Sequence, residues 1–135
     1  MGAPDEWLYE YAVVRFMPHI EREEFLNIGL LMLCKRRKWL KGMVVIDEEK
    51  IKTLFPKADL ESLKNQSRLF EMTNVPAPDL PAEEKYRWLT AVKSASLRVS
   101  PSHPGIAQQS DSSSDSDWQK VLDLEFERLF NNLVL

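Results

Sequence analysis

Polar side chains set among apolar ones are the first places to look for chemistry. Arg15 lies in the run Tyr9-Glu-Tyr-Ala-Val-Val-Arg-Phe-Met17, while Glu24 and Asn27 stand just ahead of the apolar run that begins at Ile28. A guanidinium on an apolar face wants a carboxylate, and Glu24 is the natural candidate here. Together with Tyr11 and Gly29, these residues make a candidate polar site at a sheet end, for a small ligand or an enzymatic reaction. The competing reading is a network that fixes the fold, since carboxylates and amides at a bend commonly bond nearby backbone donors.

A second candidate is the basic cluster Lys35, Arg36, Arg37, Lys38 and Lys41, with Trp39 inside it. Cations on a hairpin beside an aromatic ring are suited to tracking phosphates and stacking a base, which would make this a nucleic-acid surface. Against it stands a solvated hairpin tip whose lysines blunt a sheet edge while Trp39 packs on the core. The formal charge of −3 favours the second reading, because no global positive field draws the chain to polyanions.

The other reactive groups lack company. His19 and His103 fall in connecting segments without the spacing of a metal site. Cys34 alternates with Leu30 and Met32, so it reads as a buried thiol. As the sole cysteine it allows neither an intrachain disulfide nor a thiolate zinc site within one chain. Ser112 to Ser114 have no histidine beside them. Gly2, Gly29, Gly42 and Gly105 are too scattered for a phosphate-binding loop, which argues against an NTPase or a Rossmann dehydrogenase. No catalytic set, metal or cofactor is implied, and a non-catalytic interaction module with a protein partner is the leading expectation.

The elements that must position these residues follow from periodicity. Residues 7–17 are rich in aromatic and β-branched types and read as a strand that Pro18 stops. Alternation puts Tyr9, Tyr11, Val13, Arg15 and Met17 on one face and Leu8, Ala12, Val14 and Phe16 on the other. Further strands are expected over 25–35 and 39–46, joined by the short basic link, with Gly29 and Gly42 marking bulges or close approaches. Asp47 is a plausible N-cap for a short helix whose stripe is Ile51, Leu54 and Phe55, ended by Pro56. Asp59 opens a second helix through Leu60, Leu63, Ser67 and Phe70, and the stretch 75–81 breaks it. A third helix is expected over 82–93, using Tyr86, Leu89 and Val92. A short strand at 97–99 leads into a Ser-, Asp- and Pro-rich segment, 100–117, expected as a mobile loop. The last helix, 117–134, carries Trp118, Leu122, Phe126, Leu129 and Leu133 on one stripe. The fold class is therefore α+β: a small, mainly antiparallel sheet of three to four strands with helices packed on it, in a single domain.

The opening residues resemble a known family. Tyr9-x-Tyr11-Ala-Val-Val-Arg15-Phe-x-Pro18, then Glu24-Phe25-x-Asn27-x-Gly29, is similar to the start of the bacterial domain of unknown function 3037. That family's usual Arg-Gly-Glu-Phe reads Arg22-Glu23-Glu24-Phe25 here, which puts a positive-φ turn at this place in question. The resemblance implies a bacterial cytoplasmic protein with no assigned activity. It also implies an accessory role, with a HipA-like kinase as one such partner, and points to Tyr11, Arg15, Glu24, Asn27 and Gly29.

Bulk composition agrees with this frame. A chain of 135 residues, 44% hydrophobic and 29% charged, has ordinary globular composition for one domain. The first residues lack the basic and apolar regions of a secretory signal. The longest apolar run, Ile28 to Cys34, falls far short of the ~20 residues a membrane helix needs. A cytoplasmic protein without a membrane partner is expected.

Overall fold

A computed structural model describes residues 8–71, 80–91, 96–107 and 118–135. Trp7, the 75–79 part of the breaker, Val92, Lys93 and the 108–117 part of the expected loop lie outside the described residues. The chain forms β1 (Leu8–His19), β2 (Glu24–Cys34), β3 (Trp39–Val44), α1 (Glu48–Leu54), α2 (Leu60–Glu71), α3 (Ala82–Ala91), β4 (Leu97–Val99), β5 (His103–Ile106) and α4 (Trp118–Leu133). One 3-10 turn, Ile20–Arg22, joins β1 to β2. This is an α+β domain with an antiparallel sheet ordered β3-β2-β1-β4, and β5 also pairs with β1.

Both faces of the sheet are covered, as the two-sided apolarity of β1 predicts. Ala12, Val14 and Phe16 join Ile51, Leu63, Phe70, Tyr86 and Leu89 in a core under α1, α2 and α3. Tyr9 and Val13 point the other way, into a core with Leu122, Phe126, Leu129 and Phe130 of α4. Within β2 the alternation changes phase. Ile28, Leu31 and Leu33 lie in the first core, whereas Leu30, Met32 and Cys34 lie in the second. The register explains the change: Val14 opposes Gly29 but Arg15 opposes Asn27, so Ile28 is an extra residue in β2. Such a bulge reverses which parity faces which side.

Several expectations need correcting. Pro18 does not end β1. The strand continues to His19 through a second register shift between Phe16 and His19, and a bulge is where a strand tolerates a residue without an N–H. Leu54 is not part of the α1 core stripe, being 53% exposed beside buried Ile51. Residues 103–106, expected to lie in the loop, form β5, and Leu8 to Tyr11 pair with Ile106 to His103. The gap between β4 and β5 is closed by a side chain: Ser100 Oγ accepts the Val13 N–H at 2.9 Å. Ser100, read as loop material from its type, is buried because it stands in for a missing ladder bond.

The hairpin from β2 to β3 is a turn with Lys38 N–H donating to the Lys35 carbonyl at 3.1 Å. Lys38 has φ 51°, the left-handed residue that lets such a turn match the strand twist without Asn-Gly. The glycines within β2 and β3 are close approaches. A Cβ at Gly29 would stand 2.8 Å from the Met43 carbonyl oxygen, and one at Gly42 would overlap the Phe70 carbonyl at the end of α2. Asp47 and Asp59 cap as expected, accepting from the N–H groups of Lys50 (3.1 Å) and Ser62 (3.0 Å).

Candidate functional site

Of the five residues in the candidate polar site, the sheet brings together two. Arg15 and Asn27 are register partners on β1 and β2, and Gly29 adjoins them across the bulge. The Arg15 guanidinium carbon sits 4.4 Å above the centre of the Phe25 ring. Asn27 donates through Nδ2 to the Leu133 carbonyl near the end of α4, at 3.0 Å, which ties β2 to that helix. Both residues keep an orphan: Arg15 Nε and Asn27 Oδ1 are withdrawn from solvent without a hydrogen-bond partner. Glu24 is not the partner of Arg15. It pairs with Arg22 at 2.9 Å, because the Ile28 bulge and the turn at Glu23 leave Glu24 opposite His19 rather than beside Arg15. Tyr11 is separate as well, four residues back along β1, where its ring lies 5.3 Å from that of His103 on β5.

The basic hairpin folds its charge back onto the body. Lys35 lies 3.5 Å from Glu10 and 3.3 Å from Glu83. Lys41 pairs with Asp123 on α4 at 3.1 Å, and its ammonium stands 4.8 Å from the Phe126 ring. The Arg37 guanidinium carbon is 5.4 Å from the Trp118 ring centre, and Trp39 packs part-buried against the α4 core. Arg36 and Arg37 make further protein contacts, while Lys38 occupies the turn.

Two polar networks that the residue types did not announce link distant elements. Glu10 accepts from both terminal nitrogens of Arg87 at 2.8 Å and from Ser102 at 2.9 Å. The Arg87 bonds hold the Glu10 carboxyl down to about 2, helped by Ser102 and opposed by burial. Ser102 also shares a 2.7 Å hydrogen bond with Tyr86, whose phenol is pushed up to about 12 by burial. On the other face, the Tyr9 hydroxyl donates to Glu125, which Arg128 also grips at 2.7 and 2.8 Å. Burial first, then that carboxylate, raises the Tyr9 phenol above its ordinary range.

A concavity lies elsewhere, at the end of the sheet where β1 turns into β2. It is a groove of about 590 Å³, walled by Phe16, Pro18, His19, Arg22 and Glu24 on one side and by residues 54–59 on the other. Ser62, Gln66 and Ser96 close its floor. Gln66 is fixed from both ends, donating to Ser62 at 2.8 Å and accepting from the Ser96 hydroxyl at 3.3 Å. Its rim includes the exposed Arg22–Glu24 pair, and Asp59 serves as the α2 cap. Between Arg22 and Glu24, Glu23 adopts φ 55°. The turn at the family's glycine position is thus left-handed here although glutamate occupies it. Sequence reading finds Glu24 but not His19, Lys57 or Gln66 as groove residues. They come from separate elements and carry no shared spacing, and the sole local signal is the Arg-Glu-Glu-Phe stretch itself.

Fold and site define a small α+β domain whose sheet is covered by helices on both faces, with a groove at its β1–β2 end. The chain belongs to the family described as Protein of unknown function (DUF3037), whose sequence model matches residues 11–134. No curated protein and no solved structure matches it. Among the described residues, no helix is long and apolar enough to cross a membrane, and no group of three or more His, Cys, Asp or Glu is placed to hold a metal ion.

Proposed function

We propose that this chain is a non-catalytic accessory module that receives a segment of a protein partner in the groove at the β1–β2 end. The observation that supports it is a contrast in how charge is used. Glu10, Lys35, Lys41, Arg87 and Glu125 are tied to other elements by ion pairs and hydrogen bonds. At the groove, the side chains of His19 and Lys57 have no bonded partner among the described residues, and Leu54 stands 53% exposed beside them. A concave surface with an apolar wall and a polar rim is the anatomy by which partners are recognised. The family resemblance supports a bacterial cytoplasmic setting as part of this reading and makes a HipA-like kinase the first partner to test.

The test is an affinity pull-down from native lysate, with and without nuclease, using the natural chain and a Leu54→Asp, Lys57→Glu variant. Both positions are on the surface, so the variant should fold. The expected result is one protein recovered in the presence of nuclease and lost with the variant. Equal recovery by the variant would move the interface away from the groove. Recovery abolished by nuclease would overturn the reading in favour of nucleic-acid binding through the 35–41 hairpin.

A further inference from the structure

We propose that one flank of α3, built on Lys85 and Trp88, is a docking surface for an acidic segment of a second protein. One carboxylate of that segment meets the Lys85 ammonium, and an adjoining apolar side chain packs on Trp88. The surface is separate from the groove, whose lining includes no residue of α3.

Lys85 is the unusual residue. It shares the core-facing side of α3 with Tyr86 and Leu89, and 7% of its surface remains exposed. Lysine is almost never buried to this degree unless it is paired. Its backbone N–H continues the helix to the Pro81 carbonyl at 3.0 Å. Its side chain makes no hydrogen bond, ion pair or ring contact among the described residues. The ammonium is nevertheless not one of the unpartnered atoms withdrawn from solvent. The stem is therefore packed, and the charge reaches solvent through a small window.

Trp88 borders that window. It stands three positions on from Lys85, which makes the two neighbours on one helix flank, and it is 45% exposed. Long helical side chains lean toward the N-terminus, so the indole covers surface on the Lys85 side of its own Cα. The other flank is already in use, since Glu83 turns to Lys35 at 3.3 Å and Arg87 to Glu10 at 2.8 Å. Glu84, the acid next to Lys85 in sequence, lies about 100° round the helix and forms no pair with it.

These features choose the occupant. An exposed lysine gives up rotamer freedom when it holds an anion. Folding has already fixed the Lys85 stem, so an arriving carboxylate gains an ion pair with little further ordering. Tryptophan is among the residue types enriched where interface energy concentrates. A single cation with Glu84 close by selects one carboxylate and opposes a polyanion such as a phosphate backbone. Helix flanks are convex, whereas small-molecule sites are concave, which favours a protein segment over a free acid.

The test is selection from a phage-displayed random peptide library on the full chain, after depletion on Trp88→Ala to remove peptides bound elsewhere. Surviving peptides are expected to carry aspartate or glutamate close to an aromatic or aliphatic residue. Isothermal titration calorimetry then follows one such peptide. Lys85→Met, which keeps the stem and removes the charge, should weaken it at least about tenfold. Changing the peptide's acid to its amide should cost the natural chain the same factor and cost Lys85→Met nothing further. Leu54→Asp, in the groove, should bind as tightly as the natural chain, so this surface and the groove stand or fall separately. No surviving peptide, survivors without an acid, or equal binding by Lys85→Met overturns the proposal. Circular dichroism checks the fold of each variant. The acid-to-amide exchange, which alters only the peptide, carries the test should Lys85→Met unfold.

Discussion

Glu10 on β1 accepts both terminal nitrogens of Arg87 on α3, each at 2.8 Å, and so fastens the third helix to the central strand. Glu10 also receives Ser102, beside β5, and lies 3.5 Å from Lys35 at the hairpin. One carboxylate thereby joins four parts of the chain. A bidentate arginine is the geometry in which an ion pair holds direction as well as charge.

The first prediction concerns that carboxylate. Its folded pKa of about 2 lies below the ordinary value near 4.5, so ionised Glu10 favours the folded state. The contribution is fully present above the unfolded pKa and disappears as pH falls from about 4.5 toward about 2. Arg87→Gln should raise the Glu10 pKa toward its ordinary value, followed by NMR titration of the side-chain carboxyl. Because Arg87 is 44% exposed, solvent screening limits the loss of stability at neutral pH to about 0.5–1 kcal/mol in urea melts. An unshifted Glu10 titration in the variant would mean that Ser102 and Lys35, not Arg87, set its pKa.

The second concerns strain in the turn ahead of β2. Glu23 holds φ 55°, a region that disfavours L side chains by roughly 1–2 kcal/mol. Glycine removes that strain but adds disorder to the unfolded chain, which offsets roughly 0.5–1 kcal/mol. Glu23→Gly should therefore stabilise the domain by about 0.5–1 kcal/mol. Equilibrium urea unfolding reads this as a higher midpoint with an unchanged slope. A lower midpoint would show that the Glu23 side chain contributes more than its backbone strain removes.

The third is steric. The missing Cβ of Gly42 is the space into which the Phe70 carbonyl fits, so α2 rests directly on the backbone of β3. Neither partner is a flexible side chain. Gly42→Ala should push α2 off the sheet and destabilise by about 1–3 kcal/mol, the range for overpacking a closed contact. Thermal melting measures it, and a variant as stable as the natural chain would show that α2 shifts without loss.

How far the sequence could be read depended on whether the deciding interaction was local. The two faces of β1 followed from strict alternation, and Ala12, Val14 and Phe16 do oppose Tyr9 and Val13. The α4 stripe followed from helical spacing, with Leu122, Phe126 and Leu129 buried in one core. Ile28 defeated the same logic, because a bulge reverses parity without any change in residue type. β5 was hidden for a related reason: His103, Pro104 and Gly105 have weak strand preference and are held by pairing with β1. Gly105 fits there because the Tyr9 ring occupies the place of its side chain. Within the candidate site, Arg15 and Asn27 are neighbours across the β1–β2 register, while the expected pairing of Arg15 with Glu24 assumed a proximity that the turn at Glu23 removes.

The last prediction separates the two uses of the basic hairpin. Lys41 is held at 3.1 Å from Asp123 and above Phe126, and Lys35 sits between Glu10 and Glu83. A phosphate backbone would have to displace these acids before gaining the same cations, so counterion release yields little. Titration of a fluorescent single-stranded oligonucleotide should therefore give no saturable anisotropy change at about 0.15 M salt. In the same samples, Lys41→Gln should lower stability by about 0.2–1 kcal/mol through the loss of an exposed pair, and Asp123→Asn should do the same. The double variant should be no less stable than either single one, since both remove one interaction. Tight oligonucleotide binding that collapses with added salt, and is lost in Lys41→Gln, would reverse the assignment and make the hairpin a nucleic-acid surface.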